Sequence, residues 1–202
     1  MGLPKRIGLF HDPSAGYVEA HVVELSDQLI KREIGSAWWS DPALDVQAAP
    51  GEIDRNWNWL DLEIERGGAI LDALKFGVVT GDSAVQGAML ISNEPVECEG
   101  EPGARALFVE MLFAAPRNRK WVRLDRKDLY KGVGLALLRV AAELSIEAEC
   151  EGRLKLDASP GSIGWYKNRG LLEVSAHRIV HEGVEYTPME LPAARVPILL
   201  DE

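Results

Sequence analysis

Leu129-Tyr130-Lys131-Gly132-Val133-Gly134 is the stretch on which the reading of this chain turns. After it come Val133, Leu137, Val140, Ala141 and Leu144, apolar residues at helical spacing, so a helix is expected from about Gly132 to Ala148. A glycine turn opening a helix is a physical device for holding an anion. The first turn carries unpaired N–H groups and the positive end of the helix dipole, and glycine lets the backbone come close. The same two glycines equally suit a tight turn that binds nothing, so the neighbourhood has to decide. No Gly-Lys-Ser/Thr follows, which disfavours a P-loop, and the residue three beyond Gly134 is Leu137, not the third glycine of a dinucleotide fingerprint.

Upstream, the charge is uneven. The 202 residues carry a formal net charge of -10, which disfavours nonspecific binding to nucleic acid or anionic membrane. Yet Arg117, Arg119, Lys120, Arg123, Arg126, Lys127 and Lys131 crowd the approach to the turn, with only Asp125 and Asp128 among them. Between Asp41 and Arg66 the balance reverses, with Asp45, Glu52, Asp54, Asp61, Glu63 and Glu65. One segment suits anions, the other cations or plain solvation.

Further outward, strands are expected at Tyr17 to Leu25, Ile70 to Val79, Ala84 to Ser92, Ala104 to Ala115 and Leu154 to Ala158, with a last hairpin over Leu171 to Leu191. Ser26 is placed to cap a helix through Ile34, and a second helix is expected from Asp54 to Arg66, stopped by Gly67-Gly68. Ser159-Pro160 reads as an N-cap and first helical position, with Gly170 as the stop. Helices lying between strands predict an α/β (α+β) domain with at least one parallel pairing. The expected organisation is one domain: an N-terminal strand and helices over 1–68, a sheet core over 69–192 and a tail over 193–202.

At this point the chain resembles the GNAT superfamily, the acyl-CoA N-acyltransferases. Their pyrophosphate loop reads Gln/Arg-x-x-Gly-x-Gly/Ala between the fourth strand and the third helix. Here it is Leu129-x-x-Gly132-x-Gly134, with Leu129 in place of Gln or Arg. Ala114-Ala115-Pro116 matches the family's strand ending, and Arg117 to Asp128 looks like a basic insertion. Downstream, Tyr166, Gly170 and Leu171 fall in the register of a family motif, while Ser159 and Ser162 replace its Asn and Ala.

The resemblance implies a mixed, mostly antiparallel sheet flanked by helices. It also implies transfer of an acetyl group from acetyl-CoA to a primary amine by direct attack in a ternary complex. Acyl-CoA contacts are then expected from Phe113 and Ala114, from Lys131, Gly132, Val133, Gly134 and Leu135, and from Ser159. Tyr166 takes the family's position for the acid that protonates the leaving thiolate, and an oxyanion donor is expected near Ala114. Glu110 interrupts an apolar strand and is the candidate base; a salt-bridged rim glutamate is its alternative. Counting residues puts it on the face of Ala114 unless a bulge intervenes. The runner-up function is an acyl-CoA sensor or interaction module without catalysis, and a nucleotide-binding protein is a weaker third.

Trp38-Trp39 and Trp57-x-Trp59 fall where the family commonly walls its acceptor site. Either they pack helices onto the sheet, or with the nearby acids they receive a cationic amine, small or protein-borne. Cys98 and Cys150 form no metal or disulfide spacing, and a reducing, cytoplasmic setting is expected. His177-x-x-x-His181 lacks a third ligand, so no metal is expected. No apolar run reaches membrane-spanning length. A homodimer through edge strands is compatible with the pattern.

Overall fold

A strand with both faces covered has no polar alternation, and Val85–Ser92 (β6) is buried at every residue. It is the middle of the sheet in the computed structural model, which describes residues 3–40, 42, 44, 58–66, 69–119, 122–125, 129–175, 178–181 and 183–201. The chain opens with a hairpin of Lys5–His11 (β1) and Gly16–Glu24 (β2). Asp27–Leu29 (α1) continues in wider helical turns through Ile30–Ala37, and the Ser26 hydroxyl accepts from Leu29 N (3.3 Å), as expected of a cap.

Next come Ile64–Arg66 (β3), Ala69–Leu71 (β4), Ala73–Thr80 (β5), β6, Val96–Glu97 (β7) and Arg105–Ala114 (β8). Tyr130–Lys131 (β9) leads into Val133–Glu147 (α2), followed by Leu154–Ala158 (β10) and Ile163–Lys167 (α3). Leu172–Glu173 (β11), Ile179–His181 (β12), Val184–Leu191 (β13) and Val196–Leu200 (α4) complete it.

The main sheet runs β11-β13-β10-β8-β6-β5-β2-β1-β9, antiparallel throughout except for the parallel pair β8 and β10. This is the mixed, mostly antiparallel architecture that the resemblance implied. On one face, Val133, Leu137, Val140 and Ala141 of α2 bury against Phe76, Val78, Met89, Ile91, Leu107 and Val109. On the other, Leu25, Ile30, Ile34, Trp38 and Trp59 cover Val85 and Ala88, while Ile64 joins Leu90 and Phe108. α2 reaches its strand only because residue 87 is glycine: a Cβ there would stand 2.3 Å from Val133 Cγ1 and 2.8 Å from the Phe113 carbonyl oxygen.

Four expectations are corrected. The helix expected from Asp54 to Arg66 is absent from its described part: residues 58–63 are irregular and Ile64–Arg66 is a strand paired with β4. Ile64 is fully buried against the sheet, and that burial, not acid-rich helix propensity, decides the local structure. Ser159-Pro160 opens no helix; Ser162 N donates to Ser159 O (2.9 Å) in a turn, and α3 starts at Ile163. Its end is as expected, Gly170 stopping it with Leu171 N on Tyr166 O (3.2 Å). Residues 196–200 are a helix and no mere tail, with Leu199 fully buried and its carbonyl accepting from Arg139 Nε (3.0 Å). The last hairpin is interrupted, β11 and β12 pairing separately with β13.

Candidate active site

β8 and β10 are paired only where Leu107–Val109 meets Leu154–Leu156. Beyond that register β8 runs on to Ala114 and β10 to Ala158, and the two part. Ala115 N donates to Gln86 O (2.8 Å) across the β6 ladder, in which Phe113 faces Ala88 and Ala114 faces Gly87. Ladder alternation then turns the N–H groups of Leu112 and Ala114 away from β6 and toward the gap.

A bulge does intervene. Leu90 pairs with Met111 but Ile91 pairs with Val109, so Glu110 is the extra residue of β8. Leu107 and Val109 face α2 while Met111 and Phe113 pack on the opposite face, so the alternation of β8 breaks at half-buried Glu110. Ala114, opposite Gly87, is on the α2 face. The count from sequence that put Glu110 on the face of Ala114 therefore does not carry across the bulge. Its neighbours Met111 and Phe113 pack on the side covered by Trp38 and Trp59.

The glycine turn opens α2 as expected. Gly132 sits at the N-cap with φ of 94°, a left-handed conformation that suits glycine, and no side chain caps the helix. The first intrahelical bond runs from Ala136 N to Gly132 O (2.9 Å), which leaves the N–H groups of Val133, Gly134 and Leu135 without partners in the helix. Val133 plugs the core and Leu135 is packed at its edge. Gly134 is wedged: a Cβ would meet Leu112 Cδ2 at 3.3 Å and Trp165 Cζ2 at 3.4 Å. The helix start, β8 and α3 therefore converge at one place.

The basic residues are used differently from the sequence expectation. Lys131 Nζ donates to Asp12 Oδ1 (2.8 Å) and lies 5.6 Å from the Phe10 ring, which holds its charge toward the β1–β2 turn. Arg123 is bidentate on Asp125 (2.8 Å at each oxygen). Arg119 is buried, only 3% exposed; its Nε donates to Ala114 O (2.7 Å) and its guanidinium lies over Trp39 and Phe113, 5.6 and 5.4 Å from the ring centroids. Lys120, Arg126 and Lys127 lie outside the described residues. The described part of the basic stretch thus braces the strand end and presents no open cationic patch.

Tyr166 is enclosed in the α2-side core with its ring edge-on to Trp165 (4.9 Å). Among the described residues its hydroxyl takes no hydrogen bond, and burial pushes its pKa well above the ordinary phenol value. Ser159, half-buried at the exit of β10, shares a hydrogen bond with the Ser162 hydroxyl (3.1 Å).

Trp38 and Trp59 are core residues: both are buried, their rings meet edge-on (5.8 Å), and Trp38 Nε1 donates to Val85 O (2.9 Å). Trp39 already faces a cation, Arg119. These tryptophans therefore do not form an open cationic cage, and Trp57 lies outside the described residues. Cys98 and Cys150 are buried, and desolvation with nearby Glu190 pushes the Cys98 thiol up to about 11. Among the described residues no group of His, Cys, Asp and Glu is placed to hold a metal, and no helix is long and apolar enough to cross a membrane. His177 lies outside the described residues.

Two buried residues central to the site escaped the sequence reading. Arg119 looked like part of a surface charge run, and Asn118 carried no signal beyond its place two residues after Pro116.

No protein-family model matches the sequence, and no curated protein matches it. Solved structures do match. An acyl-CoA N-acyltransferase from Pseudomonas aeruginosa superposes with a TM-score of 0.51 at 12% identity, over 85% of this chain and 97% of that one. An acetyltransferase of the GNAT family from Staphylococcus aureus Mu50 gives 0.50 at 9% identity, over 86% of this chain and 99% of that one. The chain has the GNAT fold.

Proposed function

We propose that this protein is an N-acyltransferase that moves an acyl group, most simply acetyl, from acyl-CoA to a primary amine by direct attack in a ternary complex. The observation that carries the reading is the meeting of an uncapped, glycine-led helix start with the parted ends of two parallel strands. The two solved neighbours described above are acyl- or acetyltransferases by name, which supports it.

In this reading the first-turn N–H groups of α2 hold the pyrophosphate, and Ser159 borders the carrier at the exit of β10. The carrier's arm enters the gap from the α2 side, past Phe113 and Ala114. The Ala114 N–H stabilises the oxyanion that forms as the amine attacks the thioester carbonyl. Glu110, at the bulge of β8, takes the proton the amine must lose. The C–S bond breaks, and Tyr166 donates its proton to the leaving thiolate; its raised pKa keeps it protonated at every working pH. The acceptor is a primary amine; among the described residues Trp38, Trp39 and Trp59 supply no open cage for a positive charge.

One observation favours a non-catalytic acyl-CoA sensor: Leu129 is uncharged and Lys131 is paired with Asp12, so the turn lacks the side-chain help the family motif provides. Thiol release from acetyl-CoA across an amine panel separates the two. Amine-dependent release is expected; binding of CoA with no release on any amine favours the sensor, and no binding removes both.

A further inference from the structure

We infer that Asn118 is a positioning residue: it locks the phosphate-facing turn to the end of β8. This rests on the acyl-CoA reading above. The chain leaves β8 at Ala114 and returns as β9 at Tyr130, and the two ends of this excursion are tied together. Leu129 N donates to Arg117 O (3.3 Å), and Tyr130 N donates to Asn118 Oδ1 (3.0 Å). Asn118 Nδ2 donates to the backbone oxygen of Gln86 (2.9 Å) and to Gln86 Oε1 (3.1 Å).

The Gln86 carbonyl is also the acceptor for Ala115 N (2.8 Å), so one peptide group of β6 sets both the end of β8 and the place of Asn118. Gln86 Nε2 in turn donates to Thr80 Oγ1 (3.0 Å), and Thr80 Oγ1 to Asp82 Oδ1 (2.6 Å). A chain of hydrogen bonds therefore runs from the β5–β6 turn to the residue two before Gly132. From the other side β1 holds the same strand, with His11 opposite Tyr130, Phe10 opposite Lys131, and Asp12 N donating to Leu129 O (3.1 Å). Asn118 is buried, so water does not replace its bonds, and truncation leaves the Tyr130 N–H and the Gln86 oxygens short of a partner.

The described body of the excursion touches the neck through Arg119 Nε on Ala114 O (2.7 Å) and Arg123 Nη1 on Arg117 O (3.2 Å), but its side chains pack elsewhere. Arg119 lies over Trp39 and Phe113, fully buried Val122 packs on Leu44, and Arg123 bridges to Leu44 as an isolated antiparallel pair. Trp39 and Phe113 belong to the face of the sheet away from α2. The neck serves the acyl carrier, and the body leans on the face of the sheet away from α2.

Calorimetric titration of the full chain with CoA tests this. Wild-type protein that binds no CoA overturns the acyl-CoA reading itself. With wild-type binding established, Asn118→Ala is expected to raise the CoA Kd on the order of tenfold. Val122→Ala, equally buried but in the body, is expected to lower Tm while keeping the CoA Kd within about twofold. An unchanged Kd in Asn118→Ala, or equal weakening by both variants, overturns the positioning role and leaves the acyl-CoA reading standing. Should Asn118→Ala not fold, Gln86→Ala replaces it: a rise of about threefold is expected for the one side-chain hydrogen bond that Asn118 loses, and no change overturns the inference.

Discussion

The parallel pair β8 and β10 is closed at one end and open at the other, and the contrast locates the function. At the closed end Leu107 N donates to Arg153 O (3.3 Å), and Ser145 Oγ to the same carbonyl (2.6 Å). Beside it Glu190, only 4% exposed, accepts from Glu99 N (2.7 Å) and Gly100 N (2.9 Å), with Lys155 Nζ at 3.5 Å. Every polar group named there is spent inside the protein. At the open end backbone N–H groups of β8 point into a gap, a helix start lacks a cap, and a tyrosine hydroxyl takes no hydrogen bond among the described residues. In the proposed reading, the donors that converge at the open end are the ones acyl-CoA would take.

The contrast breaks most sharply at Tyr166. Tyr166→Phe is expected to lower kcat by about 10²- to 10³-fold, the range for loss of a general acid, with CoA affinity unchanged in a direct titration. Unchanged turnover removes the assigned role. Because burial raises the Tyr166 pKa, the phenol stays protonated as pH rises, and the pH–rate profile should show no alkaline limb from this group. A decline between about pH 8 and 10 with a stable amine would contradict it.

Next is Glu110→Gln, expected to lower kcat about 10- to 100-fold at neutral pH. The loss should shrink as pH rises, since more of the amine is then already deprotonated; a loss independent of pH makes Glu110 structural. At the closed end the effects should reverse in kind. Glu190→Gln places an amide where a buried carboxylate accepts two N–H groups, costing about 1–3 kcal/mol. Thermal unfolding should fall by about 2–4 °C per kcal/mol, with CoA affinity and kcat retained. The smallest effect is at Cys98: with its thiol pushed up to about 11, iodoacetamide should label the native protein only slowly at pH 8, and rapid labelling would deny the burial.

Much of the open end was legible in the sequence because its parts are local. A glycine turn, a helical period and the Tyr166-x-x-x-Gly170-Leu171 spacing are each written within a few residues. What stayed hidden depends on partners far along the chain. Lys131 reads as a phosphate ligand, and its pairing with Asp12, more than a hundred residues earlier, is not legible from the local sequence. Arg119 reads as surface until Trp39 and Phe113 enclose it. The bulge at Glu110 is a matter of register with β6, and alternation within β8 alone does not reveal it. The segment ending at Arg66 suggests a helix by its acids and terminal glycines, but buried Ile64 makes it a strand. Lys5–His11 begins with two cations, and its strand identity comes from pairing with β2.

Hydrogen–deuterium exchange with and without CoA tests the central claim most directly, because it reads both ends of the strand pair at once. Protection is expected at the amides of Leu112 and Ala114 and of Val133 to Leu135, with none gained around Glu99 and Gly100. Protection confined to the Glu190 end, or none at the start of α2 when CoA is bound, would contradict it.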